Sequence, residues 1–444
     1  MMSHIKSARP SATVAIFLLL LCKFAWPAQT AAQVNNPDQL FALGVVIDSD
    51  GLISVREPTS DVKVLAARKE ALLKAQRLAK ASGQKDALTY ISLPRLFAAA
   101  KEAIDQGKEI PKQVRYLGGM TKLKYIFVYP GEKDLVIAGE VEPYSEVHPS
   151  RPIGLHSGRP VLQLDDLVVA LRTVGPGSRD GSIGCSIDPP KGAMEKVAAI
   201  LEDKDSRKLS RDEKSQKLTS GVGPQSVRII GVQDDTRVAY VCVEADYLLK
   251  RLAMGVDQSP VPMVKHTNQH EKMQFNRLWL TPSYEPLLVT DDGLSFEIRG
   301  QSLQLSASGD QFSDAPASPG TAGYAKLFTR YFPQLAQSIP AFADLWNITD
   351  LALLASLMGQ DDLHKKANWD LKWVLARDGY PVAKVPVVKE ADTMAHYRTG
   401  AYIIGGVQLE MAPVLTPKSR QRDEAGKLKE LATRPENGQW EVIK

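Results

Sequence analysis

The chain has 444 residues, 55 Lys and Arg against 51 Asp and Glu, a formal net charge of +4 and 44% hydrophobic residues. That hydrophobic fraction belongs to a folded chain, and so small an excess of positive charge excludes the clustered field on which nucleic-acid and anionic-membrane binding rely. The length allows two or three domains at about 100–200 residues each.

Residues 1–32 read as a secretory signal peptide. Lys6 and Arg9 precede an apolar run from Val14 to Cys22, Lys23 closes it, and Thr30-Ala31-Ala32 supplies small residues for cleavage. The run is shorter than the roughly 20 apolar residues that a spanning helix needs. Leu19-Leu20-Leu21 ahead of Cys22 departs from a lipoprotein signal. Cleavage removes Lys6, Arg9 and Lys23 and no acidic residue, which brings the mature chain within one charge of neutral. The expected location is exported: periplasmic, cell-envelope or secreted. No second apolar stretch reads as a transmembrane helix. The expected partners are an envelope protein or a surface polymer, with no nucleic acid and no integral membrane span after cleavage.

Residues 33–147 read as an N-terminal α+β unit. Asp48-Ser49-Asp50-Gly51 divides two apolar runs and predicts a hairpin, because Gly accepts the positive φ of such turns. Residues 61–81 carry a helical apolar stripe, and a second helix is expected from Pro94 to about Gln106, capped by Ser92. Strands follow at 123–129 and 135–141, around Pro130-Gly131. Residues 148–256 read as a central α/β-like unit. Its strand at 161–164 leads through Asp165, as N-cap, into a helix at 166–174. A glycine-rich turn at 175–184, a strand around Cys185 and a helix opening at Pro189-Pro190 come next. The mixed-charge stretch 202–217 is a solvated helical face or a connection. A hairpin of 227–232 and 237–243 around Asp234-Asp235 then precedes a helix at 247–254.

Residues 257–310 read as a β meander, 311–323 as a flexible loop, and 324–378 as a helical region containing a continuous helix at 363–375. The C-terminal strand segment occupies 379–412, and 413–444 is a polar, disordered tail. The fold class is α+β: small mixed sheets and hairpins with packed helices.

The chemistry-bearing residues are sparse. His266 and His270 share a helical spacing, but Glu271 follows the second His, so the His-Glu-x-x-His metal motif is absent and no metal is assigned. Gly154 to Pro160 resembles the nucleophile loop of trypsin-like proteases, yet Ser157 has only the local His148 and His156 before it in the mature chain, and no upstream base. The glycines at 175, 177, 181 and 184 run from helix to strand, the reverse of a nucleotide-binding loop, so no cofactor is assigned. Asp165, Asp188 and Asp235 are the carboxylate candidates for catalysis from distant segments, since two carboxylates suffice for glycoside hydrolysis. Trp279, Tyr284, Trp369 and Trp373 are the binding candidates, because aromatic rings stack on sugars and anchor interfaces. Cys185 and Cys242 are an even pair, open to two buried thiols or a disulfide.

The run Ser157-Gly158-Arg159-Pro160-Val161-Leu162-Gln163-Leu164-Asp165-Asp166-Leu167 is followed by Cys185-Ser186-Ile187-Asp188-Pro189. Together with Tyr125 to Pro130, Lys250 to Gly255 and Asn276 to Leu280, it resembles an exported planctomycete family catalogued as a domain of unknown function. The resemblance covers residues 85–410. It implies export and one extended module, and it carries no catalytic residue. The expectation is a non-catalytic envelope or secreted protein that binds or builds; the alternative is an extracytoplasmic hydrolase.

Overall fold

The Asp-Gly signal corresponds to β1 (Val45–Ile47) paired antiparallel with β2 (Ile53–Val55). This computed structural model describes residues 45–47, 53–55, 88–146, 151–178, 181–265, 274–308, 316–391 and 401–433. The expected signal peptide, the expected 61–81 helix and the His266/His270 pair lie outside the described residues.

β3 (Leu88–Ser92) runs into α1 (Leu93–Asp105). Ser92 caps this helix by accepting the Arg95 N–H, and Pro94 stands in its first turn, where no intrahelical donor is lost. β4 (Met120–Tyr129) and β5 (Asp134–Val141) pair as expected, and a two-residue ribbon, β6 (Tyr144–Ser145) with β7 (Ile153–Gly154), follows. Then come α2 (Leu164–Val174), β8 (Ile183–Asp188), α3 (Ala193–Glu202), α4 (Arg211–Val222), β9 (Gln225–Ile230) and α5 (Arg237–Met254). The next strands are β10 (Gln274–Pro282), β11 (Glu285–Val289), β12 (Ser295–Arg299) and β13 (Leu303–Ser308). Helices α6 (Pro319–Arg330), α7 (Phe332–Ser338) and α8 (Pro340–Gln360) precede β14 (Glu390–Ala391), β15 (Ala401–Leu409), β16 (Arg420–Arg422) and α9 (Lys427–Leu431).

These elements make an α+β fold with two six-stranded mixed sheets. The first has the order β16-β11-β12-β4-β5-β3 and the second β13-β10-β15-β8-β9-β14. Helix α8 packs on α2, α5 and β4, while α5 also packs on β8 and β15, so a helical layer lies against both sheets. One continuous apolar cluster runs through it, from Ile126 and Ile137 of the first sheet, through Leu167, Val241 and Leu351, to Cys185 and Leu280 of the second. Helix α8 is long and apolar enough to pass for a membrane span, contrary to the reading that no second stretch is. Its polar face is missing because 94% of the span-length window is buried inside the fold.

Several expectations are corrected. Residues 237–243 are helix, not strand: β-branched residues recur there, but Thr236 caps the segment by accepting the Ala239 N–H, and burial on nearly all sides overrides strand preference. Residues 161–163 form no strand. Helix α2 begins at Leu164 after Gln163, so Asp165 is inside the first turn and is not the cap. The 363–375 helix is two short ones, 363–366 and 372–375, with Asn368 at φ 48 between them. Residues 413–433 of the expected disordered tail are ordered, because β16 pairs with β11 and Leu428 is buried against Tyr125 and Phe127.

The expected meander is divided between the sheets. β10 pairs with β13 in the second sheet, and the same two chains continue as β11 and β12 into the first. The hairpin therefore bends between them, and its return arm turns at Gly300 (φ 91) and Ser302 (φ 61). A Cβ at Gly300 would come within 2.9 Å of the Glu285 nitrogen, so this turn needs glycine twice over.

Candidate functional site

The three carboxylates singled out in the sequence go to three different partners. Asp165 accepts the Tyr380 hydroxyl at 2.6 Å and the Ala383 N–H at 3.0 Å, tying the start of α2 to the loop after residue 375. Asp188 accepts the Ser186 hydroxyl at 2.7 Å and pairs with Arg228 at 3.4 Å. Asp235 pairs with Lys384 at 3.0 Å. None of them lines the cleft of about 240 Å³ among the glycines at 175, 177, 181 and 359. Ser157 donates its hydroxyl to Glu142, which also accepts the His156 and Ser157 N–H groups, so this hydroxyl closes a loop.

Three of the four aromatic candidates pack on the core. Trp369 lies against Phe97 and Trp373 edge-on to Tyr380, with centroid distances of 5.5 and 5.9 Å. Tyr284 reaches the Asp350 carboxylate. Trp279 differs: its neighbours Leu278 and Leu280 are in the core cluster, so strand alternation turns the indole to the opposite face of the second sheet, where it is half-buried. Cys185 on β8 and Cys242 on α5 are buried free thiols. Burial pushes both thiol pKa values above the ordinary range.

The structure also assembles a site that sequence reasoning missed. Arg151 ion-pairs with Glu244 of α5 and Asp344 of α8, and Arg237 of α5 ion-pairs with Asp344 and with Asp166 of α2. Two guanidiniums thus face three carboxyls inside the helical layer. Burial pushes the Asp166 pKa up to about 7 against the opposing pull of Arg237, and Asp166 Oδ1 has no partner among the described residues. Burial works against the charge of Arg151, but Glu244 and Asp344 outweigh it and raise its pKa. A second buried pair lies under the second sheet. Lys250 donates to Asp246 at 2.8 Å and to the carbonyls of Ile187 and Gly405 at 3.0 and 3.2 Å, joining α5 to β8 and β15. Burial lifts Asp246 to about 6, with Lys250 opposing. The signal in the sequence was a charged residue inside an otherwise apolar helical run, as at Asp344. Its partners lie up to 193 positions away, so spacing does not reveal them.

Chemically, these networks join elements. Each ionised group is desolvated and held by fixed partners, an arrangement that fixes geometry more than it adds stability. Among the described residues no three His, Cys, Asp or Glu side chains form a group able to hold a metal ion.

Residues 185–266 match a family described as a protein of unknown function, DUF1598. The match covers about a fifth of the chain, from β8 past the end of α5, and includes Arg237, Glu244, Asp246 and Lys250. No curated protein and no solved structure matches.

Proposed function

We propose that this is an exported, non-catalytic binding protein that holds a cell-surface polymer against the outer face of the second sheet, with Trp279 as its anchor. The observation that carries this reading is the row in which Trp279 stands. Across β13, β10, β15, β8 and β9, the residues in register are Ser306, Trp279, Gly406, Ser186 and Arg228. Gly406 puts no side chain beside the indole, Ser186 and Asp188 hold Arg228, and the Arg228 side chain is 65% exposed. Four steps of about 4.8 Å make the row about 19 Å long, suited to an extended chain. One half-buried indole beside the Ser306 hydroxyl, with the exposed Arg228 guanidinium and its Asp188 carboxylate held from beneath by the buried Ser186, fits a glycan better than an apolar protein surface. The signal peptide supports export, and the internal pairing of Asp165, Asp188 and Asp235 supports a role without catalysis.

The test joins two measurements. Protein recovered outside the cytoplasm should begin at Gln33, and it should co-sediment with insoluble envelope polysaccharide. Trp279→Ala should keep its melting temperature and weaken sedimentation by about ten-fold, roughly 1.4 kcal/mol. Retention in the cytoplasm with residues 1–32 intact overturns export, and equal binding by the variant overturns the sheet face.

A further inference from the structure

On the other side of the helical layer, α8 presents Trp346 to two cations. Lys122 Nζ, on β4, lies 5.5 Å from the Trp346 ring centroid, and the Arg159 guanidinium carbon lies 4.7 Å from it. Neither cation makes an ion pair among the described residues. The carboxylates within electrostatic reach are engaged elsewhere. Asp350 accepts from Ser302 and Tyr284, Glu140 pairs with Lys124, and Glu142 closes the 154–158 loop. Among the described residues the Arg159 guanidinium has one long hydrogen bond, 3.4 Å from Nε to the Thr121 carbonyl.

Around these cations three buried polar atoms have no partner among the described residues: Arg159 Nη2, Trp346 Nε1 and Asn347 Oδ1. Trp346 is 4% exposed and Asn347 2%. Asn347 uses its amide nitrogen on the Pro160 carbonyl, at 2.8 Å, which leaves its oxygen over. Unpaired polar groups in such a place carry a desolvation cost unless something fills them. Burial lowers the pKa of both Lys122 and Arg159, and each is also in the field of other charges; for Lys122 these include Arg159 itself. Two partly desolvated positive groups on one indole form a locus where a negative group would relieve both desolvation and repulsion.

We propose that Lys122, Arg159 and the Trp346 N–H bind an oxyanion group, a carboxylate or a phosphoryl group, between β4, the 159–160 segment and α8. The site is separate from the Trp279 face and does not depend on it. Lys122 supplies a point charge, Arg159 the unused Nη2 donor, and the indole a neutral donor. Asn347 Oδ1, the acceptor of the set, suits an oxyanion that retains a proton and so ranks phosphate ahead of acetate.

Titration calorimetry of the purified protein with inorganic phosphate and with acetate, at fixed ionic strength in chloride, tests this. Saturable binding of at least one of the two is expected, weakened about ten-fold or more in Lys122→Gln and in Arg159→Gln. Lys196→Gln, exposed on α3 and away from these elements, should leave it unchanged. Phosphate alone binding identifies a phosphoryl ligand; both binding identifies the shared carboxylate-like chemistry. If Arg159→Gln does not fold, Lys122→Gln decides. No saturable heat with either anion up to about 10 mM, or affinity unchanged in Lys122→Gln, overturns the site.

Discussion

Tyr284, at the bend where one hairpin passes from the second sheet to the first, donates its hydroxyl at 3.0 Å to Asp350 of the core helix. Ser302, on the opposite arm of the bend, donates to the same Asp350 oxygen at 2.6 Å. One carboxylate thus grips both arms. Tyr284→Phe should cost about 1 kcal/mol, because Ser302 still satisfies the acceptor. Asp350→Ala should cost more, since it leaves two hydroxyls unpaired. Urea unfolding of the two variants checks the order, and the reverse order would show that the bend is held by something else.

Asp344 bridges Arg151 and Arg237, whereas Asp166 touches only Arg237 in the same network. Removing Asp344 takes one of two carboxyl partners from each of two buried cations, leaving Arg151 with Glu244 and Arg237 with Asp166. Asp344→Ala should therefore lose about 3–5 kcal/mol. Asp166→Asn keeps a polar partner for Arg237 and should change stability little. Denaturation midpoints separate these cases, and a loss below about 1 kcal/mol for Asp344→Ala would contradict the network's joining role.

Burial raises Asp166 to about 7 and Asp246 and Asp350 to about 6. A carboxyl raised above its unfolded value of about 3.9 favours folding while it is protonated. That contribution is complete below the unfolded pKa and is lost as pH rises through the folded pKa. Stability should therefore fall between about pH 5 and pH 8. Asp166→Asn should flatten the upper part of the fall, with a midpoint at pH 8 equal to or above that of the unsubstituted protein. A midpoint that climbs steadily across this range would sink the assignment.

Cys185 and Cys242 are both buried as thiols whose pKa values burial raises. The folded protein should resist alkylation at Cys185 and Cys242 at about pH 8, and the unfolded, unreduced chain should take up label at both cysteines. Failure of the unfolded chain to take label without a reductant would instead indicate a disulfide.

Local chemistry made part of this fold readable. The Asp-Gly signal between β1 and β2, Ser92 and Pro94 at the start of α1, and Pro130-Gly131 between β4 and β5 act over a few residues, so sequence order is enough. The segment 237–243 was not readable, because its β-branched residues suit a strand and only burial on α5 together with the Thr236 cap selects helix. Trp279 and Tyr284 illustrate the same limit within one hairpin. As residues they are similar candidates, but one points away from the core and the other is bound to Asp350.

By itself the sequence determined the α+β class, the short-range turns and caps, and the near-neutral balance of the chain beyond residue 32. Only tertiary structure decided that Arg151 meets Asp344 and that the strands of 274–308 serve two sheets. It alone gave Asp166 its raised pKa and left Lys122 and Arg159 beside Trp346 without an ion pair among the described residues. The reason is physical: propensity and turn geometry are properties of neighbouring residues, whereas desolvation and charge pairing depend on segments that approach one another only when the core closes.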